Sequence, residues 1–251
     1  MKTKDIDYRF MIRDANETAL QIMSVFNNLE YVEIDKKSVA KACGLAKFND
    51  ANINDIISLV ENKLKTDKDK LMDLCCRLQE LWNENKKELL TEIASVLDIN
   101  FDIDESYNAC CKLHYLPINE IDDKNGCIYL NCNYDVETIF KNFVIMLVKS
   151  FLVAKLEGLM GKGHYKYDAK NKIWLLIEIA IDAIFANSKL NKWAEAPSYN
   201  YFYNLKINGI NIMQKFRKLH KLININDFLN NVYMFICENY KILIKFKNYL
   251  Y

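Results

Sequence analysis

The residues with the clearest capacity for chemistry are two cysteine groups near the middle of the chain. Cys110, Cys111 and His114 form one group, and Cys127 and Cys132 form the next. Thiolate and imidazole ligands gathered from two such groups could hold a zinc ion. Adjacent cysteines in a strand point to opposite faces, however, and the spacing is not that of a zinc knuckle. This spacing therefore favours apolar packing of the thiols, and we predict no metal and no cofactor.

A second candidate is a pair of carboxylates, Glu178 and Asp182, within the apolar stretch Ile173 to Ala186. Residues four apart lie on the same face of a helix, so the two side chains are neighbours if this stretch is helical. A carboxylate pair in which one pKa is shifted is typical of an enzyme, whereas two ordinary carboxylates are typical of a solvated helix face. The sequence leaves both alternatives open.

The segment Ser38 to Ala46 has the spacing of a helix-turn-helix, with Ala40 and Gly44 four residues apart. Asp50 lies where the recognition helix needs a buried apolar residue, and a helix that ends at Gly44 explains the same residues. Nucleic-acid binding would require the C-terminal lysines to join a basic stripe formed by Lys36, Lys37, Lys41 and Lys47.

The composition limits the elements that can position these groups. Hydrophobic residues make up 51% of the 251-residue chain and charged residues 27%, which is typical of a globular protein. Lys plus Arg number 34 and Asp plus Glu number 33, so the chain is not one that binds by covering many phosphates. The 6 glycines and 2 prolines favour long helices over a sandwich or barrel, which needs many tight turns.

Hydrophobic spacing predicts helices over most of the chain. They cover residues 5–31, 54–64, 67–97, 135–156, 172–190, 197–221 and 226–249, the sixth being broken near 208–209. Strand signals at 107–116 and 127–132 predict a small sheet near residues 106–132. The predicted class is mainly α with a small antiparallel β-sheet (α+β). We expect a helical N-terminal segment, residues 1–78, and an α+β domain, residues 79–251.

The sequence predicts a cytoplasmic protein with no membrane span. Charges occur throughout the first fourteen residues, which contain no apolar region of a signal peptide. The most apolar stretches, 143–148 and 173–186, are too short to cross a bilayer. We expect the 8 cysteines to be reduced, as is usual in the cytosol.

The element order over residues 80–220 has a familiar form. A helix from Leu81 to Leu97 leads into the short sheet, whose last predicted strand is Cys127 to Asn131. The helix Glu137 to Leu147 follows, and the helix Trp174 to Asp182 comes later. This order resembles the zinc metallopeptidase (zincin-like) core. In that family an edge strand precedes an active-site helix of the type E-x-x-x-H-E-x-x-H, and a later helix can supply a glutamate ligand.

The residues at the motif positions depart from that family. Lys141 stands at the first histidine, Asn142 at the catalytic glutamate and Ile145 at the second histidine, with Glu178 at the third ligand. Lysine is cationic and isoleucine has no donor atom, so the resemblance implies a degenerate domain without its hydrolytic site. It also implies that Lys141 and Glu178 form an ion pair where the metal would be. A core helix of an unrelated α-rich fold remains the alternative.

The sequence favours a non-enzymatic protein-binding module, which the resemblance refines to a metallopeptidase-like pseudoenzyme. Aromatic residues are common at interfaces, and the chain has 15 Tyr and 13 Phe. One run spreads its rings around a predicted helix and is the candidate partner surface: Tyr199, Tyr201, Phe202 and Tyr203. We expect the partner to be another protein. The alternatives are a metal-dependent hydrolase with an unrecognised site and a nucleic-acid-binding protein that uses its N-terminal helices.

Overall fold

A computed structural model describes residues 6–27, 41, 53–100, 108–116, 119–122, 126–160, 171–196 and 202–246. Within these ranges the chain is mainly helical. The strands are β1 (Asp7–Ile12), β2 (Asn108–His114), β3 (Glu120–Asp122), β4 (Cys127–Asn131), β5 (Lys206–Ile207) and β6 (Ile210–Asn211). The α-helices are α1 (Ala15–Asn27), α2 (Ile53–Thr66), α3 (Lys68–Leu97), α4 (Val136–Met160), α5 (Lys172–Ala186), α6 (Ile212–His220) and α7 (Ile225–Phe246). Helices α2 to α5 and α7 and strands β2 and β4 confirm the predicted elements. In this part of the chain, no helix combines the length and hydropathy needed to span a membrane.

The chain separates into two compact units. The sheet unit is drawn from Asp5–Asn85 and Ile103–Phe143, and the helical unit from Lys86–Asp102 and Val144–Tyr251. Helices α3 and α4 each contribute residues to both units. The boundary predicted between residues 78 and 79 lies inside α3, and a division at that point stays a prediction.

The sheet unit contains a four-stranded sheet in the order β1-β2-β4-β3. Strands β1, β2 and β4 are parallel, and β3 runs antiparallel to β4 at one edge. The sheet predicted near residues 106–132 is therefore mixed: the antiparallel prediction holds for β3 and β4 and is wrong for β2 and β4, whereas the two-stranded sheet β5–β6 is antiparallel. The reason for the parallel pair is the three-residue strand β3, through which the chain reverses before β4 returns beside β2 and parallel to it. So short a strand shows no alternation in the sequence.

The predicted helix over residues 5–31 is wrong in its first part, where β1 precedes α1. Tyr8 and Phe10 are buried while the alternating residues Arg9 and Met11 are exposed, which is the period-two pattern of a strand. Asp14 then begins the helix, since its Oδ1 accepts a hydrogen bond from the backbone N–H of Glu17 at 2.8 Å. The helical spacing of α1 does not extend back into the strand.

An aromatic cluster forms the core of the sheet unit on one face of the sheet. Trp82 and Phe143 are fully buried, and their ring centroids lie 5.5 Å apart in an edge-to-face arrangement. Tyr8 packs edge-to-face against both rings. Gln79 of α3 donates to the backbone O of Tyr8 at 3.1 Å and accepts from the backbone N of Phe10 at 3.3 Å. The Gln79 amide thus pairs with backbone N–H and C=O groups on the outer side of edge strand β1, which would otherwise remain unpaired.

Helix α5 forms the core of the helical unit, with every residue from Ile173 to Phe185 buried. Asn171 caps its N-terminus by accepting hydrogen bonds from the backbone N–H groups of Ile173 and Trp174 at 2.9 and 3.1 Å. Helices α6 and α7 pack against it. A helix apolar on all sides is expected to be enclosed in this way.

The predicted helix over residues 197–221 is wrong over residues 202–211, because the hairpin β5–β6 precedes α6, and its first five residues lie outside the described ranges. Asn208 and Gly209 form the two-residue turn, with φ of 53° and 78°. Ile207 and Ile210 pair directly across it. Asn-Gly is the strongest short hairpin signal, since both central residues of a type I′ turn need positive φ. Sequence reasoning interpreted the same dipeptide as a kink.

Candidate partner-binding surface

The predicted site positions on α4 have different surroundings. Lys141 is exposed and Asn142 is half-buried, both in the sheet unit, whereas Ile145 is buried in the helical unit. Glu178 also belongs to the helical unit. The predicted Lys141–Glu178 pair therefore joins residues of two units and stays a prediction.

Glu178 forms an ion pair with Lys149, which lies one turn beyond Ile145 on α4. Lys149 Nζ lies 2.5 Å from Glu178 Oε1, and the two side chains are 12% and 11% exposed. An ion pair this enclosed loses most of its hydration, so removing either partner would leave an uncompensated charge. Helices α4 and α5 are thus joined by a buried ion pair within the helical unit.

Asp182, one turn along α5, has its own cation. Its side chain is fully buried, and Arg217 of α6 donates to both carboxylate oxygens, from Nε to Oδ2 and from Nη2 to Oδ1, each at 2.7 Å. Hydrogen bonding to Asp182 raises the pKa of Arg217 above its ordinary value. The two acidic residues of α5 therefore lie in separate ion pairs, each with a cation from a different helix.

The inner side of α6 makes further contacts at the C-terminal end of the helix. Asn187 Nδ2 donates to the backbone O of Arg217 at 2.7 Å and lies 3.5 Å from His220 Nδ1. The His220 ring packs edge-to-face on Phe228 of α7, and burial lowers the pKa of His220. Apolar residues of α6 complete this face: Ile212, Met213 and Phe216, each at most 2% exposed.

The hairpin positions the start of α6. Asn211 ends β6 and caps the helix, because its Oδ1 accepts a hydrogen bond from the backbone N–H of Gln214 at 3.0 Å. Its Nδ2 donates to the backbone O of Tyr203 at 2.7 Å. The outer side of α6, which begins at this cap, carries a shallow groove of about 380 Å³. We call its lining the α6 surface: Ile210, Asn211, Gln214, Lys215, Lys218, Leu219 and Leu222.

The α6 surface combines exposed apolar side chains with positive charge. Ile210 is 57% exposed and Leu222 is 78% exposed. Lys215 and Lys218 lie between them in the lining, and both are exposed. No acidic residue occurs between Glu195 and Asp227, while this stretch has five lysines and arginines. Two further exposed lysines flank the groove: Lys206, paired across the hairpin with Asn211, and Lys221.

The predicted aromatic surface falls only partly within the described residues. Tyr199 and Tyr201 lie outside them. Phe202 is 3% exposed and is a core residue, whereas Tyr203 is 49% exposed. Arg217 lies over the Tyr203 ring, 5.9 Å from its centroid. Of the predicted set, Tyr203 is the exposed ring that the structure places beside α6, and a partner role for the set stays a prediction.

The cysteine groups are arranged by the sheet. Cys110 and Cys127 are register partners on β2 and β4, with Cα atoms 4.8 Å apart, and form a disulfide. The expectation of reduced cysteines differs from the structure at this pair, because the parallel register places the two residues side by side. Cys132 is buried, which raises its pKa to about 12. In the ranges that the structure describes, no group of three His, Cys, Asp or Glu side chains could hold a metal ion.

A polar cluster on the sheet unit contains cations that are matched by carboxylates. Lys112 Nζ lies 2.7 Å from Glu17 Oε2. The buried Arg13 guanidinium lies over the Tyr129 ring, 4.1 Å from its centroid, and 3.7 Å from Glu17. Burial raises the pKa of Glu120, while Arg13 opposes the shift. The charges of this cluster are therefore balanced within the fold.

The α6 surface is a candidate site that the sequence predictions missed. The nucleic-acid alternative considered lysines at positions 36–47, of which only Lys41 lies among the described residues. Two signals in the sequence could have found the surface. One is the acid-free stretch between Glu195 and Asp227, and the other is Asn208-Gly209 as a hairpin turn that exposes the start of a helix.

The resemblance of α4 and α5 to the zincin-like core rests on residue pattern and element order alone, and it stays a prediction. The chain matches no family model, no curated protein and no solved structure.

Proposed function

We propose that this chain is a non-enzymatic protein-binding module that contacts its partner through the α6 surface. The observation that carries the proposal is positive charge without an internal counter-charge, next to exposed apolar side chains. Among the described residues no ion pair involves Lys215, Lys218 or Lys221. Exposed apolar side chains beside polar residues are typical of interaction sites.

The apolar part of the surface supports the same proposal. Leu222 and Ile210 are among the most exposed large apolar side chains that the structure describes. Fully burying a leucine or isoleucine side chain stabilises a complex by about 1.5–3 kcal/mol relative to leaving it in water. A partner that covers both residues gains this contribution, whereas the isolated fold does not.

The ion pairs of α5 support the non-enzymatic part of the proposal. An acid pair that works in catalysis has to meet a substrate or share a proton. Glu178 and Asp182 instead bind Lys149 and Arg217. Each carboxylate therefore connects α5 to a neighbouring helix, which is a structural role.

The Lys149–Glu178 pair favours a degenerate metallopeptidase-like domain as the origin of the helical unit. It joins the two helices from which the resemblance draws the metal ligands. The strand directly before α4 is β4, which lies between β2 and β3 and is not the edge strand that the resemblance implies. A variant with Ile145→His and Lys149→His, two positions one turn apart in the helical unit together with Glu178, tests this origin. We expect titration calorimetry to show stoichiometric zinc binding that requires Glu178, with circular dichroism as the control for folding. A folded variant that binds no zinc would contradict the proposed origin.

A selection of random twelve-residue peptides on the immobilised full chain tests the protein-binding proposal. We expect enriched peptides to bind with micromolar Kd in fluorescence anisotropy. Leu222→Asp should weaken this binding at least about tenfold. Met72→Asp, at a 51% exposed position on α3, is the matched control and should leave binding unchanged. Equal binding to both variants, or no enriched peptide, would contradict the proposal.

A further inference from the structure

We infer that the partner presents an acidic amphipathic α-helix to the α6 surface. This inference rests on the proposed function and adds the chemistry of the partner. Three observations carry it, namely the arrangement of the lining residues, the placement of the apolar side chains and the sign of the surrounding charge.

The lining follows one face of a helix. Apart from Ile210, its members continue the α6 direction at spacings of three and four: Asn211, Gln214, Lys215, Lys218, Leu219 and Leu222. The nine residues of α6 at 1.5 Å each give about 13 Å, and Asn211 and Leu222 adjoin its two ends, so the stripe is about three helical turns long. A groove beside such a stripe accepts the ridge of a second helix, as in ridges-into-grooves packing. A partner helix of three turns therefore matches the groove in length.

The apolar side chains mark where the partner helix is anchored. Ile210 lies at the hairpin end of the groove, Leu222 at the far end and Leu219 between them. A helix that inserts apolar residues at i, i+4, i+7 and i+11 spans about 16 Å and presents a stripe that can meet all three. These anchors supply the apolar contact that the exposed Ile210 and Leu222 lack.

The surrounding charge selects the polar residues of that helix. Lys215 and Lys218 line the groove, and Lys206 and Lys221 flank it, with no acidic residue between Glu195 and Asp227 to compensate them. A helix with glutamate or aspartate beside its apolar stripe meets these lysines with opposite charge. A basic helix meets them with like charge, which costs affinity and slows association.

The same lining disfavours the two other anionic partners. Single-stranded nucleic acid needs aromatic rings on which bases stack, and the lining has none. A membrane surface needs a continuous apolar face, whereas Lys215 and Lys218 interrupt the line between Ile210 and Leu222. A peptide helix tolerates this alternation, because its own polar residues lie opposite the lysines.

A charge-swap selection tests the inference with the full chain. The probe is a display library of twelve-residue helical peptides that keep leucine at i, i+4, i+7 and i+11, while the other positions vary among Glu, Gln and Lys. We expect the enriched pool to be acidic. Binding of its members should weaken at least about tenfold with Lys215→Glu/Lys218→Glu and should fall as salt rises. The charge-reversed protein should instead enrich lysine-rich peptides, and Glu84→Lys, at an exposed position on α3, should change neither result.

The outcomes separate this inference from the proposed function. Neutral or basic peptides that bind in a Leu222-dependent way would overturn the acidic partner and leave the protein-binding module standing. No enrichment from this library or from the random peptides would overturn both. Vesicles of phosphatidylcholine and phosphatidylserine, a single-stranded oligonucleotide and light scattering for a second copy of the chain complete the test. Lysine-dependent binding of the vesicles or oligonucleotide, or a Leu222-dependent dimer, in place of the peptides would also overturn the inference.

Discussion

Helix α6 places cationic side chains on two faces, and their surroundings differ. On the inner face, the Arg217 guanidinium binds the fully buried Asp182 through two hydrogen bonds. On the outer face, Lys218 is exposed and Lys215 lies over the Phe235 ring at 4.6 Å, and no described carboxylate pairs with either amine. The sheet unit follows the inner pattern, since Lys112 pairs with Glu17.

The difference separates charges that maintain the fold from charges that are available to a partner. Removing a cation from a buried ion pair leaves an uncompensated carboxylate, so the cost appears in the free energy of unfolding. Removing an exposed lysine that has no ion pair leaves nothing uncompensated, so its effect should appear in binding. Substitutions on the two faces test whether this division holds.

The largest effect is expected from Arg217→Met, which leaves Asp182 buried without its cation. Breaking a fully buried pair costs about 3–5 kcal/mol, and because the Arg217 side chain is 34% exposed, solvent reduces the expected cost to about 2–3 kcal/mol. Urea denaturation should therefore show a much lower midpoint. The double variant Arg217→Met/Asp182→Leu is the control, because apolar residues of similar size remove both charges. If the double variant is as unstable as the single one, lost packing rather than the buried charge is responsible.

A smaller effect is expected from Gly209→Ala in the turn that leads to α6. A Cβ at this position meets no atom within 4 Å, so the cost comes from its φ of 78° alone. That conformation costs an L-residue about 1–2 kcal/mol. Gly158→Ala in α4 is the matched control, since it also meets nothing within 4 Å but lies in a helix. It should stabilise the chain by up to about 1 kcal/mol, and equal effects of the two variants in thermal unfolding would contradict the argument.

The sequence predicts the long helices of the fold better than its short strands. Long periodic segments such as α3 and α4 were predicted correctly, because many positions repeat the same signal. Strand β1 has six residues and β3 has three. In elements this short, few positions show the period of two, and the helical spacing of α1 obscured it in β1. The parallel arrangement of β2 and β4 depends on β3, so it was not predictable from either strand alone.

The α6 surface was not predicted from the sequence, and the motif alignment on α4 and α5 did not select the lysine that pairs with Glu178. Charged groups on α4 and α5 do form an ion pair, yet the cation that binds Glu178 is Lys149, two turns beyond the Lys141 that the motif alignment selected. Local spacing places both lysines on α4 but does not determine how the helix is positioned along α5. Among the aromatic residues, burial of Phe202 and exposure of Tyr203 likewise follow from packing rather than from their adjacent positions.

A modest pH effect is expected at His220, which sits at the inner end of α6. Burial lowers its pKa below the ordinary value of 6.5, so the unfolded chain binds a proton more readily than the folded one. Stability is therefore lost as pH falls below about 6.5 and is fully present above it. His220→Gln should flatten this dependence between about pH 7 and 5.5. Chemical denaturation at each pH checks this, and an unchanged slope would assign the loss to other groups.

The smallest effect on stability is expected from Lys218→Gln, on the outer face. The amine forms no ion pair with a described residue, and glutamine keeps the side chain polar and is a good helix former. The free energy of unfolding should change by less than about 0.5 kcal/mol, as for surface positions without special contacts. Salt should also leave the difference between wild type and variant nearly unchanged, because there is no pair to screen. A loss of 1 kcal/mol or more in urea denaturation would show that Lys218 maintains the fold. The two faces of α6 would then not divide structural from available charge, and the case for an acidic partner would lose its basis.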